Sequence, residues 1–290
     1  MKFALAFANT GPAVEPDGAV EFAQAAEAGG FESLWTVEHV VVPAGYESPY
    51  PYDKSGRMPG KEDSPIPDPI VWLSYIASAT TTLKLGTGVM ILPQRNPVVF
   101  AKETATLDYM SGGRLLLGIG VGWLREEFDA IGIPFNERGA RTDDTVAAMR
   151  ALWTEDQATY HSDFINFENC MVRPRPAAGP IPIHVGGHSD AAARRAGRLG
   201  DGFFPAKGSH EELARLFDVA RFSAQQSGRD PEAIEFTAGG NGVFGPNALD
   251  EAKALADLGV CRIVLPSFLF WGDARDKFAK YHDDVISKIN

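Results

Sequence analysis

Short apolar runs alternate with longer amphipathic stretches along this chain, and the switches fall at Gly, Pro, Asn and Ser. Short apolar runs read as buried strands, and a period near 3.6 reads as helix. The pattern predicts strands at Lys2–Ala8, Phe31–His39 and Leu83–Leu92, then a fourth that ends in Gly118-Ile-Gly-Val-Gly122. Four more follow at Ile181–Val185, Gly202–Pro205, Ile234–Ala238 and Val260–Leu265. Helices are predicted at Glu15–Gly29, Ile70–Thr80 and Pro97–Ser111, with Asn96 as N-cap, Pro97 in the first turn and Gly112-Gly113 as the stop. Later helices cover Arg125–Ile131, Thr142–Trp153, Ser189–Leu199, Ser209–Ser227, Leu249–Leu258 and Asp273–Ile289.

Strands that each lead into helical sequence predict a parallel sheet, and eight of them predict an α/β fold, the (β/α)8 TIM barrel. The chain has 290 residues, comfortable for one such barrel, so residues 1–290 are expected to form one domain. Two stretches interrupt the rhythm. Residues 40–69 hold seven prolines and three tyrosines, expected to be ordered irregular structure or a mobile lid over the site. Residues 154–176 suggest a hairpin excursion around His161-Ser-Asp163, at the end of a barrel away from catalysis.

Glycine gives the first chemical signal. Side chains alternate along a strand, so Gly86 and Gly88 share one face, as do Gly118, Gly120 and Gly122. Each glycine weakens its strand by roughly 0.5–1 kcal/mol relative to Ala. Such a stripped surface suits close approach of a flat ligand, or else tight packing of an inserted side chain.

Composition narrows the partners. A net charge of −11 without a basic block argues against nucleic acid, and no apolar run suits a membrane span. Met1-Lys2 leads directly into strand residues, and the two cysteines have no CxxC spacing, so a cytoplasmic protein with reduced thiols is expected. None of the six histidines forms an HxH or HExxH pattern, so no metal site is expected.

Barrel chemistry sits where strands end. Glu38-His39 closes strand two, with His39 the favoured proton carrier or ring partner and Glu38 the second catalytic candidate. Gly186-Gly187-His188-Ser189 opens a helix, where free backbone amides hold phosphate, although Ser189 would cap the helix in any case.

These strand ends carry a resemblance. Glu38-His39, Leu85-Gly-Thr-Gly-Val89, Pro93-Gln-Arg-Asn-Pro97, Ser111-Gly-Gly-Arg-Leu115 and Gly118-Ile-Gly-Val-Gly-Trp-Leu-Arg-Glu-Glu127 resemble the bacterial luciferase-like superfamily, as do Arg138-Gly-Ala-Arg141 and Ile183-His-Val-Gly-Gly187. The ordered set is most similar to its actinobacterial deazaflavin (coenzyme F420)-dependent oxidoreductases. The resemblance implies a TIM barrel, usually a homodimer, holding F420 or FMN at its C-terminal mouth and acting on a small molecule. It places a non-prolyl cis bulge at Gly88-Val89 and a phosphate turn at Gly186-Gly187, and the cofactor ring would then lie against the glycine face that holds Gly120 and Gly122. It matches His39 to an active-site histidine and Lys207 to a substrate-binding lysine. Trp123 stands where sugar-phosphate-oxidising relatives carry a catalytic glutamate, which points to an apolar or aromatic substrate beside Trp123 and Tyr46. The expected activity is hydride transfer by F420. An FMN-dependent monooxygenase and a non-catalytic cofactor-binding protein are the alternatives.

Overall fold

The computed structural model describes residues 1–205 and 208–289. Its main sheet contains β1 (Lys2–Ala6), β2 (Ser33–Thr36), β3 (Lys84–Thr87), β4 (Met90–Ile91) and β5 (Leu115–Gly120). After the hairpin β6 (Ala158–His161) and β7 (Asn166–Cys170), it continues with β8 (Ile183–Gly186), β9 (Gly202–Phe204), β10 (Glu235–Ala238) and β11 (Val260–Pro266). The order β3-β2-β1-β11-β10-β9-β8-β5-β4, with β3 also paired to β5, closes the sheet into a barrel. Every pairing within it is parallel. The single strand predicted at Leu83–Leu92 is broken into two. Gly88 and Val89 interrupt it between β3 and β4, and the peptide bond joining them is cis. This is the closed α/β barrel that the alternation predicts.

Local signals explain the outer layer. In α3 (Pro97–Ser111), Asn96 accepts from the amides of Val98 and Val99, Pro97 opens the first turn, and Gly112 closes it at φ 73°. Asp68 caps α2 (Pro69–Ala77) in the same way, and Ser189 caps α6 (Asp190–Leu199) through the Ala192 amide. The helix α5 (Arg138–Thr154) begins four residues before the predicted Thr142, since a 3-10 turn at Phe135–Glu137 feeds it and Glu137 pairs with Arg141. The terminal helix is not continuous: α9 (Ala274–Tyr281) passes into a π turn at His282–Ile286. Strand two is shorter than Phe31–His39, because the Asn9 side chain replaces the ladder at Val37, accepting from its amide at 2.8 Å.

The barrel interior is layered. At its floor, the start of the strands, Arg262 is 1% exposed and donates twice to Glu32 at 2.9 Å and once to Glu235 at 3.1 Å. Lys2 closes this network on Glu235 at 2.5 Å. Above it, the buried Trp35 packs with Ala4, Ala6, Leu116, Phe204 and Val264. The glycine-stripped faces find their reason here. A Cβ on Gly86 would lie 2.6 Å from the Trp35 ring, and one on Gly118 would lie 1.8 Å from the Thr87 carbonyl oxygen and 3.0 Å from that ring. These two glycines admit protein rather than ligand, which corrects the flat-ligand reading for them. No helix among the described residues is long and apolar enough to cross a membrane.

Candidate active site

The mouth is assembled where the strands run out. His39 follows β2, Val89 lies between β3 and β4, Trp123 follows β5, and Gly187-His188 follows β8. Phe7, just after β1, holds a left-handed φ of 58°, uncommon for a side chain of its size. Its carbonyl is fixed by the hydroxyls of Thr10 at 2.7 Å and Ser267 at 2.8 Å, while its ring meets Phe268 across the mouth at 6.2 Å.

Val89 provides the platform. A Cβ on Gly120 would lie 2.5 Å from one Val89 methyl, and a Cβ on Gly186 would lie 2.4 Å from the other. The missing side chains of β5 and β8 thus form a notch that seats the isopropyl group. The Gly88-Val89 backbone stays half-buried, facing the open mouth. Gly88 itself is not crowded, since a Cβ there would meet Phe204 and Trp35 at 3.4 Å, an ordinary contact. Gly122 serves the turn instead: its φ is 82°, and Phe128 and Ile91 fill the space a Cβ would need.

His39 ends the neighbouring stave, since β2 pairs with β3, and is half-buried with its ring edge-on to Trp123 at 5.8 Å. Its Nδ1 lies 3.4 Å from Oε2 of Glu127, a buried carboxylate on α4 (Arg125–Ala130). Trp123 also receives the rings of Tyr46 at 5.5 Å and Tyr50 at 5.1 Å. Tyr50 and Tyr52 stack edgewise at 5.3 Å, and burial lifts the Tyr50 phenol to about 12, so both hydroxyls stay protonated near neutrality.

Glu38 is committed to the scaffold. Its two carboxylate oxygens accept from the Ile91 amide and from Arg95, which also donates to Asp68 at 3.0 Å. Burial raises the Glu38 carboxyl above its usual range, outweighing the Arg95 charge and both hydrogen bonds. This group of side chains ties the end of β2 to β4 and to the N-cap of α2.

The proline-rich stretch is irregular from Val40 to Asp68, after which α2 begins, and is pinned at several points. Glu127 accepts from the amides of Val40 at 2.6 Å and Val41 at 3.3 Å. Glu126 accepts from Glu47 at 2.8 Å and Ser48 at 3.0 Å, and the hydrogen bonds, led by that of the Ser48 hydroxyl, hold its carboxyl down at about 2. Asn9 donates to the Pro67 carbonyl at 2.9 Å. Tyr46 is buried as the anchor of this loop: its hydroxyl accepts from the Met58 amide at 3.0 Å, and Arg57 covers its ring at 4.8 Å.

At the start of α6, His188 is held by the Pro205 carbonyl at 2.8 Å, and Gly187 takes a φ of 126°. Since Ser189 caps only the Ala192 amide, the amides of Asp190 and Ala191 have no partner within the helix. At the rim, Arg125 and Arg138 stand over one Phe135 ring at 4.3 and 3.8 Å, and neither forms an ion pair with a carboxylate among the described residues. Arg138 is anchored to the Gly122 carbonyl at 3.3 Å, and burial followed by the Arg125 charge lowers its guanidinium from the usual value.

The structure therefore gathers His39, Trp123, Val89, Gly120 and Gly186 around one opening. It assigns Glu38 and Tyr46 partners within the protein, and Lys207 lies outside the described residues. Glu127, Phe7 and the Arg125–Arg138 pair are additions that the strand-end reading missed. Glu127 stood inside a quoted motif, but nothing local marks which carboxylate will reach His39. Phe7 has no sequence signal, because a left-handed position normally advertises itself by glycine or asparagine.

A closed parallel barrel with helices outside it, a seated bulge and a carboxylate facing an imidazole at its C-terminal mouth defines a TIM-barrel protein. Residues 1–283 match the luciferase-like monooxygenase family, and the chain belongs to that family of oxidoreductases. An uncharacterized protein of Mycobacterium tuberculosis is 32% identical over 247 residues, spanning 85% of this chain and 83% of the relative. The F420-dependent glucose-6-phosphate dehydrogenase of Kineococcus radiotolerans is 31% identical over 229 residues, spanning 77% of this chain and 62% of the dehydrogenase. The coenzyme F420 dependent tetrahydromethanopterin reductase of Methanopyrus kandleri shares the fold, with a TM-score of 0.78 at 16% identity over 100% of this chain and 99% of that one.

Proposed function

We propose that this chain is an F420-dependent oxidoreductase acting on a small apolar or aromatic molecule. The observation that carries the reading is the Val89 platform: a half-buried residue seated in the Gly120–Gly186 notch, on the stave next to the one that ends in His39. The residues fit a flat tricyclic cofactor with a phosphate. Val89 and the Gly88 backbone would support one face of the ring, and the amides of Asp190 and Ala191 at the start of α6 would hold the phosphate. When bound, F420 supplies a ring carbon that gives or takes a hydride, and the protein's share is binding, orientation and proton handling.

His39 would hold or move the proton at its Nε2, while Trp123 and Tyr50 wall the substrate and exclude water. The F420-named dehydrogenase supports this cofactor class, and Trp123 favours a substrate without a charge to be matched. Arg125 and Arg138 favour F420 over FMN, since the deazaflavin's phosphate continues into a carboxylate-bearing tail. The family's monooxygenase description supports the second reading, an FMN-dependent monooxygenase. A homodimer belongs to the same proposal, because Val71 and Tyr75 on α2 and Val99 and Met110 on α3 leave an apolar surface exposed.

Parallel binding titrations with F420 and FMN decide between the cofactors. Tighter F420 binding, weakened by Arg138→Ala more than FMN binding is, is expected. Preference for FMN together with reduced-flavin oxidation by oxygen would establish the second reading. Tight binding without turnover on a broad substrate panel would point to a cofactor carrier.

A further inference from the structure

We propose that Glu127 is a positioning residue that sets the tautomer of His39, keeping the proton on Nδ1 and leaving Nε2 free to exchange a proton at the mouth. The inference rests on the oxidoreductase reading for its consequence, but its geometry stands alone. The Glu127 side chain is 2% exposed and the His39 side chain 11%. The two carboxylate oxygens face different partners. Oε1 takes the amides of Val40 and Val41, and Oε2 lies 3.4 Å from Nδ1 of His39.

That separation is slightly beyond a direct hydrogen bond, and the buried Nδ1 has no other partner. Contacts of this kind commonly tighten once a site is filled. A buried carboxylate is an acceptor only, so the nitrogen facing it must carry hydrogen. The proton sits on Nδ1, and the lone pair is left on Nε2. When a substrate hydroxyl gives up its proton, the O–H bond breaks with its electrons staying on oxygen, and the new N–H bond forms at Nε2. Glu127 then balances the imidazolium charge across Nδ1. The neighbouring carboxylate, Glu38, is occupied by Arg95 and the Ile91 amide, so it does not compete for the ring. Because Glu127 also fixes the first two residues of the long loop, one side chain couples loop position to the proton carrier.

The sharp test is Glu127→Gln. The amide oxygen still accepts from Val40 and Val41, but the amide nitrogen now faces Nδ1 and reverses the hydrogen-bond polarity. Long-range proton–nitrogen spectra of the histidines, with the His39 signals assigned by their loss in His39→Gln, are expected to show Nδ1–H in the wild type and Nε2–H in the variant. Turnover with F420 should fall by about 10²-fold or more, as expected for a proton group held in the wrong form, while F420 affinity stays within about threefold. Glu127→Asp keeps the carboxylate and is expected to retain the wild-type tautomer with intermediate turnover. It carries the test if the Gln variant does not fold. An unchanged tautomer in Glu127→Gln, an Nε2–H tautomer in the wild type, or loss of the Nδ1–H form in Glu127→Asp would overturn the proposal and leave Glu127 as a loop anchor. If neither F420 nor FMN supports turnover in the wild type, the functional reading fails, while the spectra still decide the tautomer.

Discussion

The two ends of the barrel handle polar groups in opposite ways. At the floor, Arg262 is surrounded by Glu32, Glu235 and Thr237, and Lys2 satisfies the remaining glutamate oxygen. Burial alone would raise the Glu32 carboxyl, yet the Arg262 hydrogen bonds and charge hold it below its usual range. At the mouth, the buried Nδ1 of His39 has no hydrogen bond, Phe268 is 51% exposed, and two guanidiniums share one aromatic ring. A network that closes on itself has no capacity left for a ligand. The Nδ1 of His39 and the two rim guanidiniums keep polar capacity that the Arg262 network does not. The difference separates the charges closed on one another at the floor from those that the proposed reading assigns to a bound molecule.

The largest expected effect breaks the floor. Arg262→Ala strands two partly buried carboxylates and should cost about 3–5 kcal/mol, read as a lowered denaturation midpoint. Unchanged stability would mean the network contributes nothing to the fold. At the mouth, His39→Ala should slow turnover by roughly 10²–10⁴-fold with stability nearly unchanged. A fully active variant would remove His39 from the chemistry.

Next comes the notch. A methyl at Gly186 collides with a Val89 methyl at 2.4 Å and should push the platform into the mouth, weakening cofactor binding about tenfold, or roughly 1.4 kcal/mol. Adding Val89→Ala should restore much of the affinity. Failure of the double variant to recover would show that Gly186 acts by some route other than seating Val89.

The smallest effect concerns His184, whose buried ring is kept neutral with its pKa lowered to about 4, first by burial and then by Arg262. The unfolded chain takes up this proton near the ordinary value of about 6.5, and the folded protein does so only near 4. Stability from this group is therefore complete above about 6.5 and declines as pH falls towards 4, by up to about 1.4 kcal/mol per pH unit. Comparing pH 7 with pH 5.5 (roughly one unit into that window), the wild type should lose about 1 kcal/mol more than His184→Gln. Parallel losses in both proteins would contradict the assignment.

The strand–helix alternation is legible because the buried strands are short apolar runs and several helices open on a capping side chain, as at Asn96, Ser189 and Ser209. The glycine pattern led to the right place for a partly different reason. Gly86 and Gly118 yield to Trp35 and the Thr87 carbonyl, and only Gly120 and Gly186 shape the mouth, through Val89. Local sequence cannot say which side chain fills a missing Cβ across a closed barrel. Strand two was overextended because its ladder is taken over by side chains, Asn9 at Val37 and Glu38 at Ile91. The same long-range pairing hid Glu127. Arg262, a charge within the apolar run Val260–Leu265, was the visible sign of the floor network and was read only as strand.

The central claim, that Val89 seats one face of a flat cofactor at the mouth, is tested most directly by a crystal structure of the protein saturated with F420. The account predicts the deazaflavin ring in van der Waals contact with Val89, its phosphate at the amides of Asp190 and Ala191, and Nε2 of His39 facing the reacting edge. A ring bound away from Val89, or a phosphate held elsewhere than at α6, would contradict it.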